Sequence, residues 1–497
     1  MKSAFTPTEE QQAILDHCLT GSDLVVKAYA GASKTTTLSM LSDEMHKKQK
    51  SGMYLAFNKM TAMEAKDKMA DSVECLTVHA LAYRNTDRKL LAKLRLPFVQ
   101  ANELVYRWNI SPVWIVTKLA GQCEKNQKIT ANSILYLAKE AVRSYCNSAD
   151  LLLSKTHCPR PNIGQAEVVS NLDGLKETIL SVAKKYWVSM INPNSDIPIT
   201  HDTYLKLYSL SDCKLNNLDY LMGDEWQDAN PCTTEIFRKQ TCQKIVVGDN
   251  YQQIYQFRGS INALNDDPNI KVLYLTKSFR FGDNVADLAN KILIKSGAKL
   301  PLIGNGKDYP SKILNIYDCY IYRTNSGCVE KFFDLISKNG DIKVCLNIDV
   351  DDVKKFANHY FALKENKRVM RSHQMLVAFK SYDELNVYLE ESKDGDLTKQ
   401  IKLVDKIGKR INRISEMVVS SEEADCIITT CHKVKGLEYN NVYIGDDFTK
   451  LVDDTGNITD SDMELNLVYV GVTRAKEFIN VDNIMNFFVA LDEDISL

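Results

Sequence analysis

The first eighty residues alternate short apolar runs with segments whose apolar residues recur at helical spacing. The apolar runs predict strands at 24–28, 53–57 and 73–77. The amphipathic segments predict helices at 9–18, 34–41 and 61–69. Strands that alternate with helices in this order favour a parallel sheet flanked by helices. The chain therefore opens as an α/β domain.

The pattern becomes helical after about residue 84 and stays helical until about residue 198. This stretch contains Trp108, Trp114 and Trp187, but no apolar run in it predicts a strand as well as the earlier runs do. Strand-like runs return at 218–222, 244–247 and 272–275. A second set of strand-like runs lies at 319–322, 426–429, 441–444 and 478–481.

These alternations predict an α/β fold with two domains, each interrupted by a mainly helical insertion. We expect residues 1–85 and 199–265 to form the first domain around an insertion at 86–198. We expect residues 266–345 and 419–497 to form the second domain around a smaller insertion at 346–418. Because active-site loops follow the C-terminal ends of parallel strands, the polar clusters after these strands are the first candidates for chemistry.

The last helix predicted in the second insertion, 397–415, combines an apolar stripe with many basic residues. The stripe consists of Ile401, Val404, Ile407, Ile411 and Ile414. The basic residues are Lys399, Lys402, Lys406, Lys409, Arg410 and Arg413. They form either the solvated face of a core helix or a contact with nucleic acid, and the sequence leaves both interpretations open.

The composition of the 497 residues is that of a folded protein, with 44% hydrophobic and 25% charged residues. The 62 Lys and Arg residues nearly balance the 64 Asp and Glu residues, so a nucleic-acid partner would have to be bound by local patches. The 13 cysteines are scattered without a CxxC pair, which favours reduced thiols over a disulfide or metal framework.

The sequence also bears on cellular location. The first residues are rich in acids and glutamines where a signal peptide is apolar, and nowhere do 18 uncharged apolar residues run together. We therefore expect no membrane partner and an intracellular protein. The expected location is the cytoplasm of a bacterial or phage-infected cell, or the nucleus if the source is eukaryotic.

Residues 28–35 read AYAGASKT, directly after a predicted strand and at the start of a predicted helix. This is the context of a phosphate-binding loop, in which backbone N–H groups point at the phosphates. Lys34 would supply a positive charge to the phosphate oxygens and Thr35 a hydroxyl to Mg²⁺. The residues expected to contact the nucleotide are Ala30, Gly31, Ala32, Ser33, Lys34, Thr35 and Thr36. Ser33 stands where the GxxxxGK[ST] pattern has glycine, so we expect binding and leave turnover open.

Two adjacent carboxylates, Asp224 and Glu225, follow the strand predicted at 218–222. Adjacent acids at such a place are costly unless a cation compensates their charge. We expect Asp224 to bind Mg²⁺, directly or through water, and Glu225 to act as general base for the attacking water. An exposed acidic turn is the alternative interpretation.

Several segments keep the order and spacing of one known family. They are DEWQD at 224–228, VVGDNYQQIYQFRG at 246–259, KSFRFG at 277–282, CHKVKGLEY at 431–439 and VYVGVTRAKE at 468–477. Together they resemble the UvrD/Rep/PcrA group of superfamily 1 DNA helicases. THDTYLKLYSL at 200–210 makes the F-box DNA helicase branch especially similar, although we expect no F-box in this chain. The resemblance implies two RecA-like P-loop NTPase domains that use ATP and Mg²⁺.

The resemblance also implies roles at a nucleotide site. Gln11, or Gln12 in the other register, is similar to the family's adenine-reading glutamine, and Phe279 to its adenine-stacking aromatic residue. The γ-phosphate sensor is expected at Gln252, the two arginines that reach the γ-phosphate at Arg280 and Arg474, and the ribose contact at Glu438 beside Gly436.

A single-stranded DNA track is the second site that the resemblance implies. Such grooves combine phosphate contacts with aromatic stacking platforms. The expected DNA contacts are Phe57, Asn58, Thr77, His79, Phe257, Arg258 and His432. Phe257 would stack on a base and Arg258 would contact a phosphate, whereas His79 is also compatible with a structural histidine.

These observations favour an ATP-driven helicase or translocase on single-stranded DNA. The family implies 3′ to 5′ movement, which would separate tailed or forked duplexes or displace bound proteins. The alternative is an ATP-gated, DNA-binding remodeller that removes recombinase filaments with little unwinding or slow hydrolysis. A recombinase or a single-strand-binding protein would then be a partner.

Overall fold

The computed structural model describes residues 6–118, 123–161, 167–254, 269–307, 309, 314–370, 373, 375–376, 379, 381–392, 395–448, 451–452, 458 and 461–496. The chain forms two compact units. One comprises Met1–Ala28 and Ser33–Leu275, and the other comprises Tyr29–Ala32 and Thr276–Leu497.

The strands are β1 (Leu24–Ala28), β2 (Gly52–Ala56), β3 (Val73–Thr77), β4 (Val113–Lys118), β5 (Lys125–Ile129), β6 (Glu167–Ser170), β7 (Tyr220–Gly223), β8 (Gln243–Gly248), β9 (Lys271–Leu275), β10 (Cys319–Tyr322), β11 (Val344–Asn347), β12 (Cys426–Thr430), β13 (Tyr439–Ile444) and β14 (Ala475–Asn480).

The α-helices are α1 (Glu9–Cys18), α2 (Lys34–Lys47), α3 (Lys59–Lys68), α4 (Val78–Arg84), α5 (Arg88–Ala92), α6 (Ala101–Arg107), α7 (Ala131–Asn147), α8 (Leu172–Ile191), α9 (His201–Leu210), α10 (Pro231–Arg238), α11 (Asp283–Lys295), α12 (Asn325–Lys338), α13 (Val350–Lys364), α14 (Tyr382–Ser392), α15 (Gly395–Ile407), α16 (Ile414–Met417), α17 (Cys431–Val434), α18 (Asp462–Val472) and α19 (Met485–Ser496).

The first unit contains a six-stranded sheet in the order β3-β2-β7-β8-β1-β9, in which every pairing is parallel. All five residues of β2 and all four of β7 are buried, which explains why these strands read as continuous apolar runs. The parallel arrangement aligns the C-terminal ends of β1, β2, β7 and β8 along one edge of the sheet. The predicted α/β fold is confirmed.

The first unit extends past the boundary that the sequence predicts after residue 265. β9 pairs with β1 along its whole length, from Leu24 opposite Lys271 to Ala28 opposite Leu275. The first unit therefore continues to Leu275. The sequence had placed a strand at 272–275, but nothing in that strand indicated which sheet it joins.

The insertion of the first unit is mainly helical, and α7 and α8 form its centre. It also contains an antiparallel sheet in the order β5-β4-β6, which the sequence pattern did not predict. Along β5 only Ile129 is buried, so the strand has none of the apolar alternation on which the prediction relied.

Two buried lysines bind the backbone in this unit. Lys93 Nζ donates to the carbonyl oxygens of Ser189, Met190 and Asn192, at 2.8, 2.6 and 2.6 Å, at the end of α8. Lys206 Nζ donates to the carbonyl oxygens of Ser148 and Asp150, at 2.8 and 2.6 Å, after the end of α7. A cation at a helix C-terminus satisfies carbonyls that have no partner within the helix.

The second unit contains a five-stranded parallel sheet in the order β11-β12-β10-β13-β14. Its core continues into the second insertion, where the predicted apolar stripe from Ile401 to Ile414 is buried. The predicted helix 397–415 is not continuous, because α15 ends at Ile407 and Gly408 adopts a left-handed φ of 64° before a 3₁₀ segment. Across the described residues, no helix is long and apolar enough to cross a membrane.

Three of the six predicted basic residues of this insertion lie beside acidic neighbours. Lys406 pairs with Glu330, and Lys409 lies 3.4 Å from Glu365. Arg413 pairs with Glu416 within one helical turn. These pairs neutralise much of the basic face and favour the interpretation of a solvated helix over a nucleic-acid contact.

Candidate functional site

The predicted phosphate loop connects β1 to α2, as the sequence indicated. Ser33 is the N-cap of α2 and adopts a left-handed backbone with φ 54° and ψ 42°. This conformation favours glycine, which is the residue that the general loop pattern has at this position. The chain therefore keeps the backbone of the loop with a serine in the glycine position.

The loop residues Tyr29–Ala32 belong to the second unit. In that unit the Ala30 N–H donates to the Tyr469 hydroxyl at 3.1 Å, and the Gly31 carbonyl accepts from the Phe279 N–H at 2.9 Å. Gly31 has a φ of 72°, and a Cβ there would lie 2.4 Å from the Ser278 hydroxyl. Glycine is thus required at position 31, because of the left-handed backbone and because a side chain would clash with its neighbours.

Lys34, at the start of α2, faces the carboxylates that follow β7. Its Nζ lies 2.9 Å from Glu225 Oε1. The Thr35 hydroxyl lies 3.5 Å from Asp224 Oδ2, at the limit of a hydrogen bond. Asp224 is buried, and its Oδ1 accepts from the Glu225 N–H at 2.9 Å. The predicted catalytic lysine, hydroxyl and carboxylates therefore lie together.

The charges of this cluster depend on one another. Burial alone lowers the pKa of Lys34, but Glu225, Asp224 and Asp249 outweigh it and raise that pKa above its usual value. Burial raises the pKa of Asp224, and the neighbouring charge of Glu225 raises it further while Lys34 opposes both. Three carboxylates around one lysine leave an excess of negative charge that a bound cation would compensate.

The donor set of this cluster fits Mg²⁺. A buried carboxylate and a hydroxyl are hard oxygen ligands, and Mg²⁺ in phosphate-transfer sites takes only one or two protein carboxylates beside phosphates and water. Asp224 and Thr35 would hold the ion. Consistent with so few protein ligands, the described residues contain no group of three or more His, Cys, Asp or Glu side chains that could hold a metal by themselves.

Gln227 links this cluster to the segment after β8, a role that the sequence analysis missed. Its Nε2 donates to Glu225 Oε2 at 2.6 Å, and its Oε1 accepts from the Asp249 N–H at 3.0 Å. The predicted sensor Gln252 donates to Asp249 Oδ2 at 2.7 Å. The position of Gln227 two residues after Glu225, at the end of a buried strand, is the signal that could have indicated it.

Gln11 lies beside α2 with both ends of its amide bonded. Its Oε1 accepts from the Thr8 N–H at 3.0 Å and completes the capping box of α1. Its Nε2 donates to the Thr37 hydroxyl at 3.0 Å. The structure thus places Gln11 next to the helix that follows the phosphate loop, and adenine contact stays a prediction.

The predicted DNA contacts of the first unit lie near the same carboxylates. A pocket of about 80 Å³ is lined by Phe57, His79 and Trp226 together with Asp224 and Glu225. The Phe57 side chain is 45% exposed, as a stacking platform requires. His79 Nε2 lies 3.5 Å from Asp202 Oδ1, so this histidine also has a partner within the protein.

Two of these residues have local structural roles. The Asn58 side chain caps α3 by accepting from the Thr61 N–H at 2.9 Å. The Thr77 hydroxyl caps α4 by accepting from the Ala80 N–H at 3.1 Å. Caps of this kind account for an asparagine and a threonine at these positions without a ligand, so their contact with DNA stays a prediction.

Trp226 packs behind the carboxylates. Its ring lies over Gly223, where a Cβ would come within 2.5 Å of it. It also packs on Phe237, with ring centroids 4.4 Å apart. The tryptophan therefore supports the turn in which Glu225 adopts a left-handed φ of 52°.

The second unit holds the two predicted arginines. Arg280 Nε lies 2.8 Å from Glu438 Oε2, and its Nη1 donates to the Thr473 carbonyl at 2.9 Å. Glu438, the expected ribose contact, is therefore an ion-pair partner of Arg280. Arg474 is 1% exposed, and its guanidinium donates to the Val470 and Leu437 carbonyls.

The other predicted residues of the second unit lie at its surface. Phe279 is 49% exposed, as an adenine-stacking side chain must be. Gly436 is exposed and has a φ of 87°, so its backbone requires glycine, whereas the space around it would accept a Cβ. His432 lies on the short helix α17. Phe257 and Arg258 lie outside the described residues.

Comparison with known proteins bears on the family of this chain. Residues 7–267 match the UvrD/REP helicase N-terminal domain, and residues 425–481 match the UvrD-like helicase C-terminal domain. The chain is 28% identical over 527 residues to F-box DNA helicase 1 of Gallus gallus, covering 97% of this chain and 50% of that protein. It is 28% identical over 528 residues to F-box DNA helicase protein 1 of Schizosaccharomyces pombe, covering 98% and 58%.

A shorter match, 33% identical over 84 residues, links 15% of the chain to 12% of the probable DNA helicase II homolog of Mycoplasma pneumoniae. The chain spans about half the length of the curated relatives that it matches over nearly all of its own residues. The resemblance inferred from the motifs is confirmed, and the first family model alone covers more than half of the chain. The chain belongs to the UvrD/REP helicase family.

Proposed function

We propose that this chain is a DNA-stimulated ATPase that moves along single-stranded DNA, in the 3′ to 5′ direction that the family implies. The observation that carries the proposal is the partly buried cluster in which Lys34 faces Glu225 beside Asp224 and Thr35. Family membership and the exposed aromatic side chain of Phe57 beside this cluster add support. The movement would separate tailed duplexes or displace bound proteins.

The proposed roles follow from the contacts. Lys34 exchanges Glu225 for the phosphates when ATP binds, because a buried ammonium group keeps a negative partner. Glu225, released from Lys34 and still oriented by Gln227, accepts the proton of the water that attacks the γ-phosphorus while the bond to ADP breaks. Asp224 and Thr35 would hold Mg²⁺, which would supply positive charge against the charge developing on the phosphates.

Arg280 and Arg474 are proposed to act on the γ-phosphate, as the family resemblance implies. Arg280 is then a group that changes partners, because Glu438 holds its guanidinium in the present structure. Positive charge placed at the transferred phosphoryl group stabilises the transition state.

The test is steady-state ATP hydrolysis with Mg²⁺, with and without single-stranded DNA. We expect strong stimulation by DNA, which Lys34→Ala and Glu225→Gln should each abolish. Glu225→Gln keeps the shape of the side chain and removes its basicity, so it should still bind ATP. Full hydrolysis by both variants would refute the proposal.

A second candidate is an ATP-gated remodeller that removes recombinase filaments and hydrolyses ATP slowly. The left-handed backbone at Ser33 favours it, because a Cβ in the glycine position of the loop could slow hydrolysis. Filament removal without strand separation would support this candidate. Processive unwinding of a tailed duplex would favour the first.

A further inference from the structure

A buried tyrosine holds the carboxylate that we assign to Mg²⁺. The Tyr54 hydroxyl donates to Asp224 Oδ2 at 2.5 Å, and the Tyr54 side chain is fully buried. Tyr54 lies on β2, which pairs with β7 immediately before Asp224, with Tyr54 opposite Met222. The contact is therefore fixed by two central strands and not by a loop.

Each oxygen of the Asp224 carboxylate accepts a hydrogen bond from a donor within the protein. Oδ1 accepts from the Glu225 N–H at 2.9 Å, and Oδ2 accepts from Tyr54. The neighbouring charge of Lys34 also acts on this carboxylate. A hydroxyl donor on Oδ2 holds the carboxylate in one orientation against the attraction of the lysine, so that the group does not rotate when the cation arrives.

We propose that Tyr54 is a positioning residue for the metal site, whose hydroxyl orients Asp224 for Mg²⁺. The inference rests on the proposed ATPase function and assigns a role to a residue that belongs to none of the motifs used above. Hydrogen-bond partners behind a metal ligand commonly change metal affinity by about 10- to 100-fold when they are removed.

The same sheet offers a matched control. Tyr220 on β7 is also fully buried, and its ring lies against Gly52 of β2. Among the residues that the structure describes, its hydroxyl has no hydrogen-bond partner. Tyr54→Phe and Tyr220→Phe therefore each remove one buried hydroxyl from neighbouring strands, but only the first removes a contact with Asp224.

The experiment measures the affinity of a fluorescent, non-hydrolysable ATP analogue in EDTA and across a Mg²⁺ titration. For Tyr54→Phe we expect unchanged affinity in EDTA and a half-saturating Mg²⁺ concentration about 10-fold or more above that of the unmodified chain. For Tyr220→Phe we expect both quantities to stay unchanged. Mg²⁺-dependent ATP hydrolysis should follow the same order.

Each other outcome overturns a specific claim. If Tyr54→Phe matches the unmodified chain across the Mg²⁺ titration, the positioning role is wrong and the proposed ATPase stands. If Tyr54→Phe loses affinity equally in EDTA and in Mg²⁺, or does not fold, the tyrosine is structural and the inference falls. If Mg²⁺ does not strengthen binding to the unmodified chain, the metal site and the proposed function fail together.

Discussion

The serine in the glycine position of the phosphate loop allows a quantitative test by Ser33→Gly. Ser33 has φ 54° and ψ 42°, and within the described part of the chain its side chain makes no capping hydrogen bond to α2. The substitution therefore removes a Cβ from a left-handed backbone without removing a helix cap. Its effect on stability should come from backbone conformation alone.

The expected magnitude is a difference of two terms. A left-handed conformation costs a residue with a Cβ roughly 1–2 kcal/mol. Glycine in turn lowers the free energy of unfolding by about 0.4–1 kcal/mol, because the unfolded chain with glycine has more conformations to lose. The midpoints of these two ranges leave a net stabilisation by Ser33→Gly of about 0.8 kcal/mol, which corresponds to about 2–3 °C in the thermal midpoint of a unit of this size.

The assay is thermal unfolding of Ser33→Gly beside Ser33→Ala, which keeps the Cβ and removes only the hydroxyl. We expect Ser33→Ala to match the unmodified chain and Ser33→Gly to unfold at the higher temperature. A Ser33→Gly variant no more stable than Ser33→Ala would refute the argument from backbone strain.

The same variants separate the two candidate functions. If the serine slows hydrolysis, Ser33→Gly should raise the turnover of ATP in the presence of DNA, and Ser33→Ala should not. Equal turnover by all three proteins would remove the reason to favour a slow, ATP-gated remodeller.

Two further predictions concern buried charges in the first unit. Burial raises the pKa of Asp249, and the charge of Lys34 opposes this rise. The folded chain therefore binds the Asp249 proton more tightly than the unfolded chain does. The stability due to this group falls as pH rises from about 4 through the raised pKa. Asp249→Asn should make the thermal midpoint depend less on pH in that range, and an unchanged slope would contradict the assignment. Lys93→Met should destabilise the insertion by about 2 kcal/mol or more, because three carbonyls at the end of α8 lose their donor. The exposed Lys184 on α8 provides the control, Lys184→Met. Equal thermal midpoints for the two variants would show that the buried ammonium group contributes nothing to stability.

The elements that could be predicted are those with a continuous apolar run or a clear boundary in the sequence. β1 and β3 begin and end where the sequence placed them, because a strand covered on both faces, or bounded by a helix cap, has a clear apolar signal. β5 could not be predicted, because its strand identity depends on backbone pairing with β4 and only Ile129 is buried. The sheet to which β9 belongs could not be predicted either, because the sequence of one strand does not indicate which strand it pairs with.

The candidate site shows the same division. The motif residues Lys34, Thr35, Asp224 and Glu225 meet at one end of the sheet because parallel strands bring their C-terminal ends together. Tyr54 could not be predicted because its importance lies in a hydrogen bond to a neighbouring strand's end, which no local pattern encodes. Gln227 differs, because its position two residues after Glu225 could have indicated its contact with that carboxylate. Arg474 could be predicted only in part: the motif indicated this residue, but it did not indicate that the side chain is buried.

The place of β1 in the first sheet also has a consequence for synthesis on the ribosome. Val25 pairs with Val246 on one side and with Val272 on the other, so both partners of β1 are translated long after it. At about 5–20 residues per second, β1 waits on the order of ten seconds or more with two open edges. The insertion is translated during this interval, between β1 and the two strands that pair with it. Slow translation and chaperones that shield strand edges should therefore matter more for this protein's yield than the stability of its finished sheet.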